Sequence, residues 1–214
     1  LSAKYLNAKR MKSNQEVIDN SECIVLALHP SVGEETIKSL DFSKAKRIIN
    51  LMADTRLDDL KIWIGRDIPI VQVIPMPCIA SRTGPIVIYP RDKEAAELLD
   101  DLGEVIQVEE GQQMRALQAI TSLPATYYTL LCKISDWGEK YNLSKETASA
   151  YSTSLFAAIS LLAKAQNGNI KKMVDEMTEG GLNVMAMKHV QNNNGIDLWI
   201  EALEEVMSRT AASE

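Results

Sequence analysis

Late in the chain, two adjacent glycines stand in Thr178-Glu179-Gly180-Gly181-Leu182-Asn183, between stretches 171–177 and 184–188 that read as helices. Glycine costs a helix about 1 kcal/mol against alanine, so a pair marks a break. Without side chains, the pair leaves the backbone bare and lets another group approach it closely. If a helix opens just after it, its first N–H groups lack internal partners and form a seat for a carboxylate or phosphate. The chemistry suggested is the holding of an acid-bearing molecule by Gly180, Gly181, Leu182 and Asn183. Thr178 and Asn183 are the candidate catalytic side chains there. A plain interhelical turn would use the same residues.

Composition narrows what such a site could serve. The 214 residues fit one large or two small domains, and 46% hydrophobic content is enough for a real core. The formal charge is −6, with no basic run of five or more, which argues against nucleic acid or an anionic membrane as the main partner. No apolar stretch reaches the roughly 18 residues of a membrane span. Cys23, Cys78 and Cys132 are odd in number, far apart and set in apolar company. They read as buried free thiols of a reducing, cytoplasmic setting. With only His29 and His189, and no cluster of ligating residues, no metal site is expected.

The elements that must position the glycine pair fall into two groups. Strand-length apolar runs at 23–28, 47–52, 68–74, 84–89 and 104–108 alternate with short helical patterns at 34–40, 56–64 and 92–102. That order predicts βα units and an open, largely parallel sheet over residues 1–110. Residues 111–214 carry helical periodicity almost throughout, over 114–120, 124–141, 145–165, 170–177, 182–191 and 196–211. Ser144 is a good N-cap, although Thr147 follows where a full capping box has an acid. The pattern over 145–165 is small or apolar on nearly every side, including Ala148, Tyr151, Leu155, Leu161 and Leu162. Such a helix needs covering on all sides, which predicts a dimerisation helix. The methionines, among them Met173, Met177, Met185 and Met187, read as core filler.

In this order of features the chain resembles pyrroline-5-carboxylate reductase, over almost its whole length. Four short segments carry the likeness. Ser13-Asn14-Gln15-Glu16-Val17 with Ile24-Val25-Leu26-Ala27-Leu28-His29-Pro30 is similar to the family's SN-x-E-x segment and its strand ending in A-V-K-P. Ile74-Pro75-Met76-Pro77-Cys78-Ile79-Ala80 is similar to M-P-N-T-P-A, and Ile120-Thr121-Ser122-Leu123-Pro124-Ala125 stands where the family has S-G-S-G-P-A. The twin-glycine segment stands where it has S-P-G-G-T-T. The resemblance implies a partial Rossmann-like, doubly wound α/β domain followed by an all-α helical dimerisation domain. It also implies a site between the carboxyl edge of the sheet and the helical domain, where open α/β sheets bind ligands.

The implied reaction is reduction of a cyclic imino acid by NADP or NAD, with a homodimer as the working form. The resemblance gives Asn14, His29, Pro30, Pro75, Met76 and Pro77 to the cofactor, and Ser122 with the 180–183 segment to the substrate. Local readings stand beside these roles. Asn14 also suits a turn before a helix, His29-Pro30 ends a strand in any case, and Ser122 with Thr121 suits a cap on the helix opening at Pro124. Pro75, Met76 and Pro77 read as a rigid non-helical loop. The chain departs from the family in four places, one being Leu123 where the family has a glycine. His29 replaces a lysine and Leu182-Asn183 replaces a threonine pair. The glycine-rich phosphate turn is absent, the first glycine being Gly33. Two expectations follow: a chain lacking its first βαβ unit, or a non-catalytic dimeric regulatory or structural relative without a nucleotide site.

Overall fold

The computed structural model describes residues 2–52 and 55–211, in two compact units. One is Leu1–Gln118 with Arg209–Glu214, the other Ala119–Ser208. The first holds a five-stranded sheet in sequential order: β1 (Cys23–Leu26), β2 (Arg47–Asn50), β3 (Ile70–Pro75), β4 (Pro85–Tyr89) and β5 (Glu104–Gln107). Helices α1 (Asn14–Asp19), α2 (Pro30–Lys38) and α3 (Leu57–Ile64) pack on one face. Helix α4 (Lys93–Leu99) packs on the other, and α5 (Gly111–Ile120) follows β5.

Alternation along the strands explains this double cover. Ile24, Leu26, Ile48 and Ile70 join a core with Ile18, Ile37 and Leu60 of the first three helices. Ile49, Val71, Val73, Ile86 and Ile88 point the other way and pack with Ala95 of α4. Adjacent Ile48 and Ile49 thus serve opposite faces, as the period of two requires. Full burial of each such side chain is worth about 1.5–3 kcal/mol.

The sheet is less uniform than the sequence pattern predicts. β1, β2 and β3 run parallel, as do β4 and β5, but β3 and β4 are antiparallel, with Gln72 opposite Tyr89 and Pro75 opposite Ile86. The reason is length. Only residues 76–84 join the two strands, fewer than the dozen or so a parallel crossover needs. This link is also not the non-helical loop that its prolines suggest. Met76 caps a 3-10 turn over Pro77–Ser81, opened by Pro77. Gly84 then closes it at φ +87°, where an added Cβ would stand 2.4 Å from the Cys78 sulfur.

Two polar clusters tie the layers together. Arg47, at the start of β2, pairs with Asp92 and, at 2.8 Å, with Glu94, while Asp92 caps α4 by accepting from the Ala95 N–H at 2.8 Å. The Asp92 N–H donates to the Gln107 side chain at 2.9 Å, so one residue joins β2, α4 and β5. At the other end of β2 lies a buried amide pair. Asn50, fully buried, donates to Gln72 Oε1 at 2.5 Å and accepts from the Met52 N–H at 3.1 Å. Gln72 Nε2 donates to the Met52 carbonyl at 2.9 Å.

The second unit contains α6 (Pro124–Glu139), α7 (Lys145–Lys164), α8 (Ile170–Asp175), α9 (Leu182–Asn192) and most of α10 (Asp197–Ala211). α6 and α7 form a hairpin. Ser144 caps α7 by accepting from the Thr147 N–H at 3.1 Å, Ser135 and Ser149 share a hydrogen bond of 2.7 Å, and Lys145 pairs with Asp136 at 3.0 Å. Close approach at Gly138 sets the spacing, since a Cβ there would lie 3.2 Å from Ala148.

Two expectations about burial are corrected. The cysteines are free but not buried: Cys78 and Cys132 are exposed and Cys23 is half-buried. Cys78 sits on the short turn after β3 and Cys132 on an uncovered face of α6, so apolar neighbours in sequence did not mean burial. The methionines do not all fill the core either, for Met177 and Met185 are exposed within this chain. No helix among the described residues is long and apolar enough to cross a membrane.

Burial pushes the Cys23 thiol above its ordinary pKa, against the opposing pull of Arg47. Native-state alkylation should therefore modify Cys78 ahead of Cys23, read by peptide mass spectrometry. Equal rates would show that the end of the sheet near Cys23 opens freely. Replacing Asn50 by Leu takes the Asn50 partner from Gln72 Oε1 and from the Met52 N–H in the core. It should cost about 1–3 kcal/mol in urea denaturation. A double-mutant cycle with Gln72→Leu should show coupling.

Candidate functional site

Because β1, β2 and β3 are parallel, their chain exits share one edge of the sheet. Leu26, Asn50 and Gln72 lie on a common rung. His29 comes three residues beyond Leu26, and Pro75 three beyond Gln72. The two segments are separated by two strand spacings of about 4.8 Å each. His29 and the Pro75–Pro77 segment therefore leave the same edge, one on each side of the β2 exit. The Leu51 N–H donates to the Leu26 carbonyl at 2.9 Å, and the Asn50–Gln72 amides hold Met52 against β3. Hydrogen bonds hold this edge where the apolar layer ends.

Each residue there also has a local task. His29 is the N-cap of α2: its Nδ1 lies 2.8 Å from the Ser31 hydroxyl and accepts from the Ser31 N–H at 3.3 Å, and Pro30 takes the first helical position. α2 thus begins earlier than its apolar pattern suggests. Met76 caps the 3-10 turn, half-buried, and Pro77 is exposed. Asn14 is the first residue of α1, after the cap Ser13. The contacts that fix α1 run elsewhere. Gln15 exchanges two 2.9 Å hydrogen bonds with Asp41, in the loop entering β2 at the amino edge. The structure therefore groups His29 with Pro75, Met76 and Pro77, and ties the helix of Asn14 toward the opposite edge.

The twin-glycine bend lies in the second unit. α8 ends at Asp175, and the Gly181 N–H donates to the Thr178 carbonyl at 3.0 Å, closing the turn. Gly180 adopts φ +76° with open space around it, a conformation costly for any other residue. Gly181 is the N-cap of α9 in extended geometry, and no side chain caps the helix. The first amides of α9 thus face outward. Leu182 is 80% exposed, and the Asn183 side-chain amide donates to the Met177 sulfur at 3.8 Å. Ser122 stands apart from this bend in its bonding, for its hydroxyl donates to the Ala119 carbonyl at 2.7 Å, finishing α5. It does not cap α6, whose cap position is Leu123 with no side-chain bond.

Asn50 and Gln72 organise the edge and were passed over in the sequence as ordinary strand residues. Their signal was an amide inside each of two apolar runs, Arg47-Ile48-Ile49-Asn50 and Val71-Gln72-Val73.

Comparison with known proteins bears on this arrangement. The chain is 26% identical over 214 residues to pyrroline-5-carboxylate reductase of Pseudomonas aeruginosa, covering 94% of this chain and 78% of that protein. It is 25% identical over 213 residues to pyrroline-5-carboxylate reductase 2 of Bacillus subtilis, covering 94% of this chain and 75% of the relative. The chain is thus similar, as a divergent relative, to the pyrroline-5-carboxylate reductases. No family model matches it. Its fold is that of 1-pyrroline-5-carboxylate reductase from Streptococcus pyogenes, with a TM-score of 0.85 at 19% identity over 99% of this chain and 84% of that one. It is equally that of the NADP-bound pyrroline carboxylate reductase from Plasmodium falciparum, with a TM-score of 0.82 at 18% identity over 97% and 85%. The partial doubly wound sheet followed by helices is thus the architecture of this family.

The bend itself is testable without any ligand. Gly180→Ala must place a side chain at φ +76° and should cost about 1 kcal/mol or more in the melting of the helical unit. Gly65→Ala, at φ +65° after α3, should cost a similar amount, although it lies far from the bend in sequence. Unchanged stability of Gly180→Ala would mean that the bend relaxes to another conformation.

Proposed function

We propose that this protein reduces a cyclic imine bearing a carboxylate, 1-pyrroline-5-carboxylate to proline or a related imino acid, with NADP or NAD as cofactor. The observation that carries this reading is the uncapped start of α9 behind Gly180-Gly181, in a chain whose relatives are reductases of such an imino acid. Outward amides at Leu182 and Asn183, behind a Gly181 whose own N–H closes the turn on Thr178, suit one carboxylate group. Ser122 serves as a further substrate contact.

The residues of the carboxyl edge fit the nicotinamide side of the cofactor. His29 and Met76 hold the N-cap positions of α2 and of the 3-10 turn, with Pro30 and Pro77 next to them, beside the strand edge. The pyrophosphate side has no matching turn among the described residues. Gly33 lies within α2, where an added Cβ would meet the Met52 sulfur at 3.2 Å, so it serves packing. Asn14 is assigned to the adenosine side by the family resemblance.

When bound, the nicotinamide supplies the hydride. The chain's own residues do the rest. The α9 amides fix the substrate carboxylate and so its ring. The Asn183 amide donates a hydrogen bond but is a poor acid. The proton on the imine nitrogen therefore comes from water or from the substrate as bound. Thr178, whose carbonyl closes the turn, sets where Asn183 stands.

The dimer is part of the proposal. On α7, Tyr151 is 72% exposed, Leu161 69% and Leu162 58%, with Leu155 and Ile159 beside them. A second copy of the chain is the covering this face implies. A cytoplasmic setting, where free thiols persist, completes the reading.

A specific observation favours a second reading, a non-catalytic dimeric regulatory or structural relative. Leu182-Asn183 replaces the family's threonine pair. One assay separates the two: oxidation of NADPH or NADH by the product of the complete reading frame, with 1-pyrroline-5-carboxylate and other cyclic imines. Turnover is expected, and Asn183→Ala should lower kcat by about 10²–10³-fold with the fold intact. Absence of turnover together with absence of cofactor binding would leave the non-catalytic reading. Leu161→Asp should shift the protein toward monomer in sedimentation, and an unchanged dimer would move the interface off α7.

A further inference from the structure

The helical unit carries two Asn-Gly pairs, Asn167-Gly168 in the link from α7 to α8 and Asn194-Gly195 after α9. In such a pair the glycine nitrogen can attack the asparagine side chain, because no Cβ shields its N–H. The dipeptide is the same at both places. The structure makes the two unequal.

Asn167 and Gly168 are the central residues of a tight turn, closed by the Asn169 N–H donating to the Gln166 carbonyl at 3.0 Å. Their φ angles, +49° and +88°, are those of a type I′ turn. That bond holds the residues on either side and leaves the reacting atoms alone. Among the described residues, neither the Gly168 N–H nor the Asn167 carboxamide has a hydrogen-bond partner. Both residues are exposed, and a Cβ added to Gly168 would meet nothing within 4 Å, so a ring has room to form.

Asn194-Gly195 is held instead. The Gly195 N–H donates to the Val190 carbonyl at 2.8 Å, in the turn that ends α9. A Cβ on Gly195 would stand 2.6 Å from Val190 Cγ1, so this glycine is pressed against the helix end. Its nitrogen must give up a hydrogen bond before it can reach the Asn194 side chain.

We propose that Asn167 is a site of self-modification, where Gly168 converts the asparagine to aspartate and isoaspartate. The Gly168 nitrogen attacks Cγ of Asn167 and the new C–N bond closes a cyclic imide. The side-chain nitrogen leaves as ammonia, taking the proton of the Gly168 N–H. Water then opens one or other C–N bond of the imide, giving aspartate or isoaspartate. Only water is consumed. Either product adds a negative charge to a chain of formal charge −6. Isoaspartate also puts an extra carbon into the main chain of the turn that the Asn169–Gln166 bond closes, which loosens the connection into α8. The inference does not depend on the reductase reading.

The test incubates the full chain in warm, mildly alkaline buffer and follows both pairs by tryptic peptide mass spectrometry. Aspartyl and isoaspartyl peptides are separated by retention. The chain unfolded in guanidinium chloride is the reference, in which both pairs should convert at similar rates. In the folded chain Asn167 should convert about tenfold faster than Asn194 or more, the factor that releasing one hydrogen bond imposes on a rate. Asn167→Gln should remove the modified peptide and leave the rate at Asn194 unchanged. Equal rates in the folded chain, faster conversion at Asn194, or an Asn167 that stays intact while the unfolded chain converts would overturn the proposal.

Discussion

Three parallel strands end together at one edge of the sheet, and buried amides hold them there. Asn50 and Gln72 bond to each other and to the Met52 backbone. Everything that leaves that edge inherits its position from this lock: the cap at His29, the exit of β2, and the proline-bracketed turn after β3. Apolar packing could not perform this task, because at the edge the two hydrophobic layers give way to loops whose backbone groups must find partners. An amide pair with every group bonded can be buried at little net cost, whereas a half-bonded one is expensive. The lock is therefore strong only as a complete set.

The second unit works by the opposite principle. Around the α8–α9 bend the backbone is left unpartnered where it faces outward. Gly180 takes a left-handed conformation in open space, Gly181 enters α9 without a capping side chain, and the exposed Leu182 shields nothing. Ser144 and Asp92 show that this chain caps helices with side chains elsewhere. α3, α6 and α8 also start without a side-chain cap, so what sets α9 apart is the glycine at its start. In a relative of enzymes named for a carboxylate-bearing imine, that choice has an economical chemical reading.

Much of this was legible in the sequence, for identifiable reasons. The five strands announce themselves through apolar runs such as Ile48-Ile49 and Val71 to Ile74, and the helices of the second unit through sustained periodicity with breaks at Gly168, Gly180-Gly181 and Asn192 to Gly195. What pattern reading missed depends on contacts between distant residues. The antiparallel turn of β4 follows from the short 76–84 link, not from any feature of β4 itself. The tasks of Asn50, Gln72 and Asp92 become visible only once their partners, 15 to 45 residues away, are in place. Cys132, Met177 and Met185 look like core residues because they are apolar. They are exposed in a chain taken alone, as are Tyr151 and Leu161. For the candidate site, the bend was readable from glycine alone. The grouping of His29 with Pro75–Pro77 needed strand order and register, which also tied the helix of Asn14 toward the other edge.

The central claim is that the edge locked by Asn50 and Gln72 receives the nicotinamide cofactor. Hydrogen exchange on the product of the complete reading frame, with and without NADPH, tests it most directly. The account predicts slowed exchange over residues 27–31 and 76–80, on either side of the β2 exit. Slowed exchange confined to other segments, with these two unchanged at saturating cofactor, would contradict it.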